Sequence, residues 1–141
     1  REPVVATAFY SVTHSRELSP ATGQPREVPL TPRREAGLDL ALEEDETGSY
    51  LAAEVFYTGV QSLEDNPYRS FSRPYATYGV LAAKRFGHTT LFVNLENLTD
   101  VRQSRYDPAL RPTRGDGGGY AVPAWAPFEG RSANMGIRYA F

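Results

Sequence analysis

Cysteine is absent from the chain. No disulfide framework and no thiolate metal site can therefore be built, and the redox compartment stays open. Histidine is scarce: His14 and His88 stand far apart in the sequence, and neither has a partner at metal-ligand spacing. No charge of one sign dominates either. The 15 Lys and Arg stand against 17 Asp and Glu, a formal net charge of −2, which argues against a nucleic-acid partner. Long apolar runs are missing as well, and nothing approaches the roughly 18–20 residues of a membrane helix. This last lack does not exclude a membrane protein, because barrel strands alternate and average out to a polar chain. Neither a starting Met nor a charged-then-apolar leader is visible at Arg1. The expectation is a removed leader or a piece of a longer chain.

What the chain does hold is turn residues and aromatics. Its 12 glycines, 11 prolines, 9 tyrosines and 7 phenylalanines favour a β-protein with many turns. A length of 141 residues suits one domain, read as 1–141.

The clearest pattern is at the end. Ala133, Met135, Ile137, Tyr139 and Phe141 form an apolar set, and Ser132, Asn134, Gly136, Arg138 and Ala140 a small or polar one. A period of two over this length predicts an extended strand with one apolar face. The same reading predicts strands over Val4–Val12, Arg34–Glu43, Tyr50–Val60, Tyr75–Phe86 and Thr90–Leu98. In Arg34–Glu43, Ala36, Leu38, Leu40 and Leu42 alternate with Gly37, Asp39, Ala41 and Glu43. The parity of Tyr75–Phe86 stays open, because Tyr78, Val80 and Ala82 compete with Leu81 and Ala83.

The connections alternate in length. His14–Pro32, Gln61–Arg73 and Thr99–Gly130 read as long loops; Glu44–Gly48 and Phe86–Thr89 read as tight turns. With strands running up and down, long loops gather at one end and short turns at the other, the asymmetry of outer-membrane barrels. Tyr10, Tyr50, Tyr57, Tyr78, Phe86, Tyr139 and Phe141 cluster at strand ends, as interfacial girdles do. The strands also exceed the five or six residues usual in soluble sheets. The expected fold is all-β, an antiparallel transmembrane β-barrel portion.

At Val93-Asn94-Leu95-Glu96-Asn97-Leu98-Thr99-Asp100 the chain resembles the C-terminal part of a TonB-dependent outer-membrane receptor. The resemblance continues through Pro29-Leu30-Thr31-Pro32-Arg33, Tyr57-Thr58-Gly59, Ser62-Leu63-Glu64-Asp65-Asn66-Pro67-Tyr68, Arg105-Tyr106-Asp107-Pro108 and the terminal strand. It implies about the last six strands of a barrel of about 22 strands whose lumen holds an N-terminal plug. The plug and its TonB-contacting segment are expected to lie outside this chain. The resemblance further implies the bacterial outer membrane, uptake of a scarce ligand such as a ferric siderophore or cobalamin, and partnership with the TonB complex through the plug region. It implies no resident cofactor and no catalysis. The terminal Met135, Ile137, Tyr139 and Phe141 resemble the signal read by the barrel-assembly machinery, which strand addition can bind. The alternative reading is a soluble all-β carbohydrate- or ligand-binding sandwich; a third is an outer-membrane adhesin or enzyme on the same barrel style.

Within Thr99–Gly130, Arg105, Tyr106, Arg111, Arg114 and Trp125 are the candidate ligand contacts. Arginines with aromatics suit an anionic ligand through charge-assisted hydrogen bonds and stacking, and a plain surface loop is the competing account. Arg114-Gly115-Asp116 and the Gly117–Gly119 run are incidental, since a phosphate loop needs a following Lys-Ser/Thr and helix. Glu43-Glu44-Asp45-Glu46 lacks the spaced oxygens and central glycine of a Ca²⁺ loop and reads as a solvated turn. No Ser/His/Asp set or carboxylate pair can be argued to converge, so no metal or catalytic residue is assigned.

Overall fold

Each alternating segment pairs with its neighbour, and the result is an antiparallel meander. The computed structural model describes residues 4–44, 46–64, 66–107 and 123–141. Six long strands form one sheet: β1 (Val4–Val12), then after a small hairpin of β2 (Arg16–Leu18) and β3 (Pro25–Glu27), β4 (Arg34–Glu44), β5 (Ser49–Thr58), β6 (Tyr75–Phe86), β7 (Thr89–Glu96) and β8 (Ser132–Tyr139). The sheet order is β1-β4-β5-β6-β7-β8, so β1 and β8 are its edges. Among the described residues there is no α-helix, only a 3₁₀ turn at Gln103–Arg105. Among the described residues no helix is long and apolar enough to cross a membrane. The fold is all-β and antiparallel.

Register decides what each parity means. Leu38 stands beside Ala8 and Val55, Leu40 beside Ala6 and Ala53, and Leu42 beside Val4 and Leu51. The rows continue through Val80 and Ala82 to Leu95 and Val93, then to Ala133 and Met135. The open parity of β6 is thereby resolved: Tyr78, Val80 and Ala82 share the apolar face, and Leu81 and Ala83 the other. A slip of one residue in any strand would turn its whole apolar set over.

Element ends differ from expectation by a residue or two, for local reasons. β5 is assigned to Thr58, and its bonding to β4 runs on beyond it, from the Gly59 N–H to the Arg34 carbonyl at 2.8 Å and from the Arg33 N–H to the Val60 carbonyl at 3.0 Å. β7 stops at Glu96 because Asn97 takes φ +50°, a left-handed conformation that ends a strand. The ladder of β8 extends one bond past its last strand residue, from the Ala140 N–H to the His88 carbonyl at 2.9 Å.

The β2–β3 hairpin lies inside the segment expected to be loop. Its strands are three residues each, too short for periodicity to register, and Pro25 sits at a hairpin edge where no ladder donor is needed. Arg26 bridges Glu17 at 2.7 Å and Glu64 at 2.5 Å, which fastens this hairpin to the next long loop. That contact holds the Glu64 carboxyl below its ordinary range, chiefly by the hydrogen bond from Arg26.

Buried apolar side chains are few, and the described ones sit away from the sheet. Leu63, Val101, Trp125 and Ala126 all lie in the long connections. Over the sheet itself, the large apolar side chains of one face are exposed from strand to strand.

Candidate functional site

The apolar face has a vertical order. Its central rows carry Leu38, Leu40, Leu42, Leu51, Ala53, Val55, Val80, Ala82, Val93 and Leu95. Toward the long loops Tyr10, Ala36, Tyr57 and Ala76 form one cross-strand row, with Tyr78 in the next. Toward the short turns Phe86, Thr89 and Tyr139 form another, and Phe141 packs edge-on against Tyr139 with centroids 5.3 Å apart. Aliphatic residues thus fill a band closed above and below by aromatics. The band spans ten residue steps of β6, from Ala76 to Phe86. At about 3.3 Å per residue this is about 33 Å along the strand. A strand tilted by about 40° would compress it to a height of about 25 Å. Of the strand-end aromatics singled out in the sequence, Tyr50 alone falls on the opposite parity, beside Ala83.

The opposite face is mixed and polar. Asp39 stands directly beside Glu54, and Asn94 beside Asn134. A hollow of about 360 Å³ lies over Asp39, Glu54, Asn94 and Glu96. Two aromatic rings lie close against glycines of the neighbouring strand: Phe9 against Gly37 and Phe92 against Gly136. A Cβ on either glycine would meet the ring at 2.2 Å and 2.5 Å respectively. Phe56 joins Phe9 at a centroid distance of 5.8 Å, so these rings cover backbone that the glycines leave bare.

The candidate loop residues do not form one cluster. Trp125 is 2 % exposed. Its indole N–H donates to the Asp107 carboxylate at 2.8 Å, and its backbone N–H to Gln103 Oε1 at 2.9 Å. Tyr106 packs against its ring at 5.7 Å, Tyr75 at 6.5 Å, and the Arg69 guanidinium lies 5.5 Å from its centroid. Arg69 also pairs with the fully buried Asp107 at 2.5 Å. Gln61 joins the second loop to the third by donating to the Trp125 carbonyl at 3.0 Å. Trp125 and Tyr106 therefore sit at the centre of a loop core. Arg105 turns elsewhere, its guanidinium paired with Asp100. Arg111 and Arg114 lie outside the described residues. The sequence marks Asp107 only as part of the Arg105-Tyr106-Asp107-Pro108 motif, and gives Gln61 and Gln103 no role, because isolated polar residues in loops carry no signal of burial.

Truncation of Trp125 is expected to open this loop core and spare the sheet. Trp125→Ala should cost about 3–5 kcal/mol locally. Trp125→Phe, which removes the donor to Asp107 and shrinks the ring system while keeping an aromatic, should cost less, about 1–3 kcal/mol. Limited proteolysis at the loops in the full-length protein measures both, and equal cleavage rates in the three proteins would reject the assignment.

The Asn97-Leu98-Thr99-Asp100 stretch forms a clasp. Asn97 and Asp100 both take positive φ, +50° and +55°, which Asn and Asp tolerate better than other side-chain-bearing residues. The Asn97 side chain donates to the carbonyls of Val101 at 2.8 Å and Glu129 at 3.1 Å, and accepts from the Val101 N–H at 2.9 Å. Asp100 accepts from Arg102 at 2.8 Å, from Arg105, and from the Arg131 N–H at 3.1 Å. The Arg102 hydrogen bond is the largest cause holding its carboxyl far below the usual carboxylate range. Gly130 passes so close that a Cβ would meet an Asp100 carboxylate oxygen at 2.1 Å.

The apolar side chains of the terminal strand are exposed. On edge strand β8, Met135 is 81 % exposed and Ile137 73 %. Tyr139 and Phe141 are exposed beside them at the short-turn end. Among the described residues no cluster of His, Asp or Glu could hold a metal ion. Comparisons of the chain with protein-family models, with curated proteins and with solved structures gave no match.

Proposed function

We propose that this chain is the C-terminal portion of a transmembrane β-barrel of the bacterial outer membrane, about the last six strands of a TonB-dependent receptor. The observation that carries the membrane part is the register: six strands align into one exposed apolar face bounded by aromatic rows. In water such a face would expose a contiguous apolar patch far beyond the few hundred Å² ordinary for a monomer. Against hydrocarbon it needs no further cover, and its height of about 25 Å suits an outer-membrane band. The opposite, polar face then looks into a lumen.

Unpaired edges at β1 and β8 support a place within a larger barrel. Lipid does not tolerate open strand edges, and the smallest membrane barrels have about eight strands. Neighbouring strands and a plug would come from elsewhere in the full-length receptor, and this portion alone transports nothing. The narrower receptor reading rests on the sequence resemblance of Asn97 to Asp100, of the loop motifs and of the terminal strand. Under it, the whole protein takes up a scarce ligand such as a ferric siderophore or cobalamin, powered through the TonB complex, and carries out no catalysis.

Fractionation of cells expressing the full-length protein tests the membrane part. The expected product is extracted only with detergent and shows the heat-dependent gel mobility of a barrel; a soluble, cooperatively folding monomer overturns the reading. Uptake measured across ferric siderophores, cobalamin and oligosaccharides tests the receptor part. A correctly assembled barrel that takes up none of them rejects it.

A further inference from the structure

Charge is rare on the apolar face, and where it occurs it is placed. Arg34 stands at the loop end, opposite Val12. At the turn end, Glu44, Ser49, Lys84, Leu91 and Ile137 make one row, immediately inside the aromatic row of Phe86 and Tyr139. Lys84 donates to Ser49 Oγ at 2.7 Å, and Ser49 lies 2.6 Å from the Thr47 hydroxyl, which bonds Glu44. An ammonium has three donors, so this single bond leaves two to offer.

Beside Lys84 the face is hollowed. A trough of about 640 Å³ spans two rows of β6, β7 and β8, with Ala82, Val93 and Met135 in one and Lys84, Leu91 and Ile137 in the other. Its floor is the backbone of the row between them, Ala83, Phe92 and Gly136, whose side chains belong to the other face. Alanine at 82 keeps the trough deep. Met135 and Ile137, standing out from the edge strand, make its wall.

We propose that this trough binds one phospholipid with an anionic headgroup, from the leaflet at the short-turn end. Its phosphate accepts from the Lys84 ammonium, and the first part of an acyl chain lies over Ala82 between Leu91 and Met135. Charge complementarity selects this occupant. A lysine on a flexible stem reaches toward the headgroup level that Phe86 and Tyr139 mark, while its methylenes stay against apolar surface. The inference rests on the membrane-spanning reading.

The test is lipid retention by the full-length protein after detergent extraction from vesicles of equal phosphatidylglycerol and phosphatidylcholine, counted by native mass spectrometry. Wild type should retain phosphatidylglycerol over phosphatidylcholine by about fivefold, the worth of one lysine near an anionic surface. Lys84→Gln should abolish the preference and Lys84→Arg should keep it. Ala82→Phe, which fills the trough and leaves Lys84 in place, should lower retention of both lipids. Heat-dependent gel mobility verifies that each variant is folded. Equal retention of the two lipids by wild type, or a preference that survives Lys84→Gln, overturns the site. Retention unaffected by Ala82→Phe does so too. A wild-type chain that stays soluble and recovers no lipid overturns the membrane reading itself, so the two failures are distinguishable.

Discussion

Leu40→Arg in the full-length protein is expected to destabilise the folded barrel by about 2–4 kcal/mol, while Ala41→Arg, one residue along, changes little. Leu40 occupies a central row of the apolar face, between Ala6 and Ala53. Its row, that of Val80, lies between the aromatic rows of Ala76 and Phe86 on β6, so on the membrane reading an arginine there would sit well inside the hydrocarbon. That is where a cation on the lipid face of a barrel costs most. Ala41 points to the polar face beside Ala52, where a charge meets water. Denaturant titration in lipid vesicles reads the difference directly. A soluble protein gives another result: an exposed leucine replaced by arginine usually shifts stability by less than about 0.5 kcal/mol. Equal and small effects at the two positions would sink the membrane reading.

Deletion of Phe141 is expected to lower the amount of full-length protein in the outer membrane. Phe141 is fully exposed and packs edge-on against Tyr139, beside an edge strand whose apolar side chains protrude. Such an edge can be recognised by strand addition, with alternate side chains giving specificity. An aromatic anchor in that mode contributes on the order of 2 kcal/mol, so capture by the assembly machinery should weaken about thirtyfold. Quantitative immunoblotting of outer-membrane fractions, with mRNA held equal, measures the loss. Wild-type levels after the deletion would remove Phe141 from the signal and leave it a plain lipid-facing residue.

Much of the sheet was legible because its physics repeats every second residue. Leu38, Leu40 and Leu42 specify a face by themselves, and the loop-length alternation orders the strands. β6 was ambiguous because Leu81 and Ala83 are as apolar as their neighbours; only pairing with Glu54, Val55 and Asn94 assigns the two parities. The loop core was illegible for the opposite reason. Trp125 signals burial as readily as binding, and nothing local announces that Asp107 and Gln103 will converge on it from about twenty residues upstream. Lys84 was passed over because one lysine in a strand is unremarked until register places it on the apolar side.

The clasp at Asn97 and Asp100 bears on how the sheet reaches its final strand. Sheet strands β4 to β7 follow one another through residues 45–48, 59–74 and 87–88, but β8 is reached only after the longer excursion of residues 97–131. Closing so long an excursion costs entropy, and the register of β8 on β7 cannot be inherited from a tight turn. The bonds from the Asn97 side chain to the Glu129 carbonyl and from the Arg131 N–H to the Asp100 carboxylate join the two ends of the excursion, immediately above the first pair of the ladder, Glu96 and Ser132. They make a remote connection behave as a hairpin corner. The alignment of β8 on β7 is thereby set at those two ends, while Gln103, Asp107 and Trp125 between them serve the loop core and not the register of that strand.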